Sequence, residues 1–294
     1  MSSVDGKVAI VTGAGAGLGR AEALALARAG ANVVVNDVTD AAHAVVAEIE
    51  EIGTKAVAVV GDVSDSEVSG RMMAAATEQL GGLHVVVNNA GLLRDRMLFK
   101  MTDQEWDDVL RVHLRGHFLL SRNATAHWRQ EYKDSGATYG SIINTASEAF
   151  LLGSAGQPNY AAAKGGIASL TVSTARAMAR MGVRANAICP RARTAMTAET
   201  FGDAPGDGVD PMSVEHVAPL VAYLAGPSAQ AISGQVFVVH SGTVALLAPP
   251  TIERKFAASG ELWTQAELES GLGAYFADRD PEKSFAANGV LDIP

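Results

Sequence analysis

Seven short runs along this chain are apolar throughout rather than alternating. They are KVAIVT (7–12), NVVVND (32–37), KAVAVVGDV (55–63), HVVVNNAG (84–91), SIINTAS (141–147), VRANAICP (183–190) and QVFVVHSG (235–242). Strands that face water on one side alternate, whereas strands buried on both faces do not. Between the runs lie helical segments such as GRAEALALARAG (19–30) and DAAHAVVAEIEEIG (40–53), each stopped by a glycine. Strand–helix repetition of this kind predicts an α/β fold: a single Rossmann-like doubly wound domain with a seven-stranded parallel sheet. TDQE (102–105) reads as a capping box that opens a long helical region, 103–133, and KDSGATYGS (133–141) reads as a surface loop. The repeating pattern stops near residue 246. This divides the chain into a domain over 1–245 and a C-terminal extension over 246–294, expected to pack on the domain or on a neighbouring subunit.

The first strand runs into TGAGAGLGR, with glycines at 13, 17 and 19 between strand and helix. Such a turn lets backbone approach a pyrophosphate at a helix N-terminus. The spacing is G-x-x-x-G-x-G, so the turn alone is a weak signal. It is strengthened by Asp37, an acid at the end of the second strand. A carboxylate there accepts hydrogen bonds from ribose hydroxyls and repels a 2′-phosphate. The loop 14–18 offers no Arg or Lys to receive that phosphate, so the residues favour NAD over NADP.

A second local pattern is NYAAAKGG (159–166), a phenol and an ammonium four apart on an alanine helix. Residues at i and i+4 share a helix face, and the alanines shield neither tip. In isolation the pair reads as a Tyr on a surface helix beside a solvated Lys. A free Tyr ionises at a pKa of about 10. A nearby ammonium favours the phenolate and would fit Tyr160 for proton transfer with an alcohol or carbonyl.

Together these residues resemble the short-chain dehydrogenase/reductase family. Its marks stand in order across 5–245: TGAGAGLG, DV at 62–63, NNAG at 88–91, a Ser thirteen before the Tyr, YAAAK, and a Pro ending the sixth strand. The resemblance implies an NAD-dependent oxidoreductase interconverting a secondary alcohol and a ketone. In it the turn residues Gly13, Ala16, Gly17, Leu18 and Gly19 bind the cofactor together with Asp37. Asp62 and Val63 hold the adenine, and Asn89, Ala90 and Gly91 line the cleft with backbone. Ser147 bonds the substrate oxygen and Tyr160 is the acid/base. Lys164 binds the nicotinamide ribose and depresses the Tyr160 pKa. Pro190 and Thr194 belong to the loop over the carboxamide.

Two positions depart from the wider family. His113 stands in RVHLRGHF (111–118) where most members have an Asn that holds a relay water, and Arg191 stands where a Gly usually follows the Pro. An imidazole can donate and accept, and would titrate nearer working pH; a satisfied buried His is the other reading of this position. VVVND, NNAGLLRDRM, RVHLRGHF and HVAPLVAYLAG are similar to the (3R)-hydroxyacyl-CoA dehydrogenase domain of peroxisomal multifunctional β-oxidation enzymes. That likeness implies a 3-hydroxyacyl-CoA or a bulky, steroid-like alcohol as substrate, and it does not reach the tail. Two other functions stay open: an NADPH-dependent 3-oxoacyl carrier-protein reductase, which Asp37 opposes, and a non-catalytic dinucleotide-binding sensor. Members of the family pair through their two long helices, here 103–133 and 158–180, so the resemblance implies a homodimer or homotetramer.

Composition narrows the partners. A net charge of −9 argues against nucleic acid, whose phosphates need a basic surface. The single cysteine, Cys189, precludes an intrachain disulfide and a multi-cysteine metal site, so no metal is expected. No apolar run approaches the roughly 20 residues of a membrane span, and the N-terminus has no signal-peptide pattern. Both features, with the cysteine usage, fit a cytoplasmic protein.

Overall fold

In the computed structural model, which describes residues 4–280 and 283–293, one sheet organises the chain. The outer limits of the sequence-based ranges, 1–3 and 294, and the pair 281–282 lie outside the described residues. The strands are β1 (Val8–Thr12), β2 (Asn32–Asp37), β3 (Ala56–Val60), β4 (Val85–Asn88), β5 (Ser141–Thr145), β6 (Arg184–Pro190), β7 (Val236–His240) and β8 (Thr243–Leu246). Their order is β3-β2-β1-β4-β5-β6-β7-β8. The first seven are parallel, with registers such as Ile10 against Val34 and Val86. β1, β4 and β5 are buried at every residue, as their unbroken apolar runs require.

The eighth strand corrects the expected count of seven. Ser241 (φ 46°) and Gly242 (φ 78°) both lie in the left-handed region, and His240 pairs with Thr243 across them. Two central residues with positive φ make the two-residue hairpin turn whose twist suits antiparallel strands. The chain therefore doubles back, and β8 closes the sheet edge antiparallel to β7.

Helices cover both faces: α1 (Gly17–Arg28), α2 (Ala41–Ile52), α3 (Ser66–Ala74), α4 (Asp103–Leu110), α5 (Gly116–Ser135), α6 (Ala149–Leu152), α7 (Pro158–Met178), α8 (Ala198–Phe201) and α9 (Ala218–Ala225). Two apolar clusters follow the two faces. One joins α1, α2 and α9 to the sheet through Leu26, Ile49 and Leu224; the other holds Trp128 of α5 against Ile10 and Ile142. The capping box at Thr102 is formed with Glu105, so α4 starts where its sequence signal stands. A π-helical segment, Arg111–Arg115, links α4 to α5. α5 runs to Ser135 and ends at Gly136 (φ 75°), so the expected loop at 133–141 begins later, at the glycine able to take that conformation.

Beyond β8 the described residues form two short α-helices, α10 (Gln265–Leu268) and α11 (Ala274–Ala277), joined by a π-helical segment, and a 3-10 helix at Asn288–Asp292. Ile252, Leu262 and Phe285 are exposed there, whereas Val290 is buried. No helix among the described residues is long and apolar enough to cross a membrane.

Candidate active site

Strand order reverses between β1 and β4, since β2 and β3 lie to one side and β5 to β8 to the other. Open parallel sheets bind ligands at the carboxyl ends of strands flanking such a point. A cleft of about 530 Å³ opens there. Its walls include Gly13, Ala16, Gly17, Leu18, Asp37, Asp62, Val63, Asn89, Ala90, Gly91, His113, Tyr160, Lys164, Pro190 and Thr194. Gly19 and Ser147 are not part of this lining.

The turn before α1 is built for close approach. Gly13 (φ 61°) and Gly17 (φ 53°) take left-handed conformations. A Cβ on Gly19 would lie 2.3 Å from the Gly13 carbonyl oxygen, so only glycine lets the helix pack here. Ala16, at the N-cap, gives α1 no side-chain cap. The first helical N–H groups therefore stay available to an anion. Asp37 ends β2 and holds the turn: its Oδ2 accepts from Gly15 N–H at 3.0 Å, and Oδ1 accepts from the Thr39 amide and hydroxyl. Asp62 accepts from Arg111 Nη1 at 2.5 Å and from the Ser64 amide and hydroxyl. Burial pulls the Asp62 carboxyl upward, but these hydrogen bonds outweigh it and hold the group below the usual carboxylate range.

Among the described residues, three that line this cleft carry a buried side-chain polar atom without a partner: His113 Nδ1, Thr145 Oγ1 and Asn36 Oδ1. Buried polar groups normally have partners. Together with the glycine turn and the acid at the β2 end, they fit an extended polar ligand such as a nicotinamide dinucleotide.

At the far end of the cleft, α7 presents Tyr160 and Lys164 on one face. Lys164 is 2% exposed, and its Nζ donates to the Thr145 carbonyl at 2.5 Å. The ammonium lies 5.4 Å from the Tyr160 ring centroid. Ser147 stands just past β5, near enough for its hydroxyl to favour the ionised Tyr160 phenol. His113 packs edge-on against the Tyr160 ring, centroids 5.2 Å apart. Its Nε2 lies 2.8 Å from the Leu92 carbonyl oxygen and 3.0 Å from the Leu92 amide. Which partner is bonded depends on the tautomer.

The electrostatics correct two sequence expectations. Burial pushes Tyr160 up to about 12, with the Ser147 hydroxyl only partly opposing it, so Lys164 does not depress the phenol in this structure. Lys164 itself is lowered to about 7 by burial, and a half-neutral amine is a weak electrostatic partner. His113 does not titrate near working pH. Burial and the neighbouring Lys164 bring it down to about 3, leaving the imidazole neutral.

Three supporting residues escape the sequence reading. Thr12 Oγ1 accepts from the amides of Asn89 and Ala90, tying the β1 and β4 ends together. Asn159, fully buried, donates to the carbonyls of Arg94 and Glu105 and accepts from Tyr160 N–H. Arg111 neutralises Asp62. Thr12 and Asn159 adjoin recognised motifs, but their partners are about 54–78 residues away in sequence, a distance at which local spacing carries no signal.

The contact between Gly91 and His113 makes a sharp prediction. A Cβ on Gly91 would lie 2.2 Å from His113 Cε1. Gly91→Ala should cost about 1–3 kcal/mol by overpacking and lower turnover as the ring shifts off Tyr160. In a His113→Ala background the same change should cost much less, because the methyl then has room. Thermal melts of the four proteins check this, and equal costs in both backgrounds would refute it.

Comparison with known proteins agrees with this architecture. Residues 7–204 match the family model for short chain dehydrogenases. The chain is 56% identical to the hydroxyacyl-CoA dehydrogenase ChsB1 of Mycobacterium tuberculosis, over 99% of this chain and 95% of that protein. It is 40% identical to peroxisomal multifunctional enzyme type 2 of Mus musculus over 83% of this chain, which spans a third (33%) of that longer protein. A crystal structure of a short chain dehydrogenase from Mycobacterium avium superposes with a TM-score of 0.86 at 42% identity, covering 97% of this chain and 99% of that one.

Proposed function

This chain belongs to the short-chain dehydrogenase family, and from that membership we propose that it oxidises a 3-hydroxyacyl-CoA to the 3-oxoacyl-CoA with NAD. The observation that carries the substrate class is the 56% identity to a hydroxyacyl-CoA dehydrogenase over nearly the full length of both chains, tail included. Asp37 at the end of β2 supports NAD rather than NADP, since a carboxylate repels a 2′-phosphate. Family membership by itself leaves the choice between the two open.

In this reading each residue has one task. The first-turn N–H groups of α1, with Gly13, Ala16, Gly17, Leu18 and Gly19, receive the pyrophosphate. Asp37 takes the ribose hydroxyls, and Asp62 with Val63 takes the adenine. Asn89, Ala90 and Gly91 present backbone to the cleft, and Pro190 and Thr194 cover its nicotinamide end. When bound, the nicotinamide supplies the carbon that accepts hydride.

The rest of the chemistry belongs to side chains of this protein. Ser147 donates to the substrate oxygen and orients the alcohol. Tyr160 Oη takes the hydroxyl proton as the carbon–hydrogen bond breaks and gives up its own phenolic proton to the neutral amine of Lys164. Lys164, held near neutrality by burial, can pass a proton on from the phenol. Neutral His113 braces the Tyr160 ring. Exposed Trp106 and Phe118 on α4 and α5 support pairing of two chains through these helices into a homodimer or homotetramer.

The test is initial NADH or NADPH formation from (3R)- and (3S)-hydroxyacyl-CoAs of several lengths, hydroxysteroids and simple secondary alcohols, each with NAD and NADP. Turnover of a hydroxyacyl-CoA with NAD is expected. Turnover confined to steroids or small alcohols would remove the acyl-CoA assignment, and preference for NADP would remove the role given to Asp37.

A further inference from the structure

Arg191 follows Pro190 at the end of β6, and its side chain is only 15% exposed. Its guanidinium meets Glu148 in a two-pronged pair, Nε to Oε2 and Nη2 to Oε1, both 2.8 Å. The same guanidinium donates to two carbonyls of the chain's last stretch: Nη2 to Val290 at 2.6 Å and Nη1 to Ile293 at 3.3 Å. The last stretch is held a second time, by Ala287 N–H donating to the Leu151 carbonyl at 2.8 Å. Val290 is buried in a cluster with Ala146 and Cys189, against which Phe150 and Leu151 pack. One side chain thus joins three separate stretches: the end of β6, the turn after Ser147, and residues 287–293.

Glu148 is bonded to Ser147 through the backbone and is 9% exposed. The turn that follows is tight, with Leu151 and Leu152 N–H both donating to the Glu148 carbonyl. Ser147 Oγ accepts from Ala149 N–H at 3.3 Å. The Glu148 carboxylate and the Ser147 hydroxyl therefore belong to one short turn. An Arg fork fixes a carboxylate in two bonds, which a Lys cannot do.

We propose that Arg191 is a positioning residue that clamps residues 287–293 to the Ser147 turn, making the end of the chain a working part of the catalytic apparatus. The consequence for catalysis rests on the function proposed above; the clamp itself does not. Misplacing a reacting group by about 1 Å costs up to roughly a hundredfold in rate.

The test uses full-length Arg191→Met, Arg191→Lys, Val290→Asp, and the double variant Arg191→Met/Val290→Asp. Each single change should lower kcat for the best hydroxyacyl-CoA by about tenfold to a hundredfold, with NADH binding by fluorescence unchanged. Arg191→Lys should not rescue. The double variant should be no worse than either single, because both break one device. Hydrogen exchange gives a readout independent of turnover. In Arg191→Met the amides of 149–152 and 287–290 should lose protection together while β1 and β5 keep theirs. Val290→Asp releases the segment with both charges intact, so it decides the matter if Arg191→Met fails to fold. Additive losses, or exchange at 287–290 unaffected by Arg191→Met, would overturn the clamp. If the wild-type protein turned over no hydroxyacyl-CoA, the proposed function would fail, and the exchange comparison would still decide the clamp.

Discussion

Tyr160→Phe should lower kcat by about 10²–10⁴-fold, the usual worth of a positioned general acid or base, with little change in NADH affinity. In the proposed reading the phenol takes the substrate proton: it lines the cleft and is braced by the His113 ring. Removing one oxygen leaves the ring and its edge contact with His113 in place, so the fold and the glycine turn are untouched. Stopped-flow turnover and fluorescence titration of NADH separate the two effects. A variant that kept normal turnover would overturn the assignment of Tyr160 as acid/base. A variant that lost NADH binding as strongly as turnover would mean that the phenol holds cofactor rather than moving a proton.

Lys164→Met should do two opposite things. Turnover should fall by about 10²-fold or more as the proton partner of Tyr160 is lost, while the protein, melted without added cofactor, becomes harder to unfold at neutral pH. The reason is the buried amine. Its ordinary pKa of 10.5 is brought down to about 7 by burial, and its Nζ has the Thr145 carbonyl as partner. Between pH 7 and 10.5 the unfolded chain binds that proton more than the folded one does, so wild-type stability rises with pH across this window. A tenfold weaker hold on the proton corresponds to about 1.4 kcal/mol. Methionine fills similar volume without a charge to desolvate, so Tm should rise on the order of 5 °C near pH 7. The advantage should shrink as pH approaches 10.5. Thermal melts of both proteins from about pH 6 to 10 check this, and a variant less stable than wild type at neutral pH would show that the lysine is structural.

Local sequence carries much of the fold. Unbroken apolar runs mark strands buried on both faces, and the alternation with glycine-stopped helices leaves a parallel doubly wound sheet as the arrangement that buries them. The glycine turn, Asp37 and the Tyr160–Lys164 spacing can be read directly, because each depends on neighbours within a turn or at the end of one strand. β8 is not legible in this way, since its pairing depends on a two-residue turn at Ser241 and Gly242 whose left-handed backbone no apolar pattern announces.

The state of the site is decided only in three dimensions. Four residues of helix bring Tyr160 and Lys164 to one face, which predicts an ammonium lowering a phenol. Burial of both groups reverses that expectation, putting the phenol at about 12 and the amine at about 7. Desolvation depends on everything packed around a group, and spacing along the chain does not report it. The same holds for Arg191. Its sequence shows only a departure from a family glycine, while its partners Glu148, Val290 and Ile293 stand 43 to 102 residues away. Short-range chemistry, set by neighbours along the chain, was determined by the sequence alone; protonation, clamping and the placement of Ser147 were determined by tertiary packing, because they are properties of surroundings assembled from distant segments.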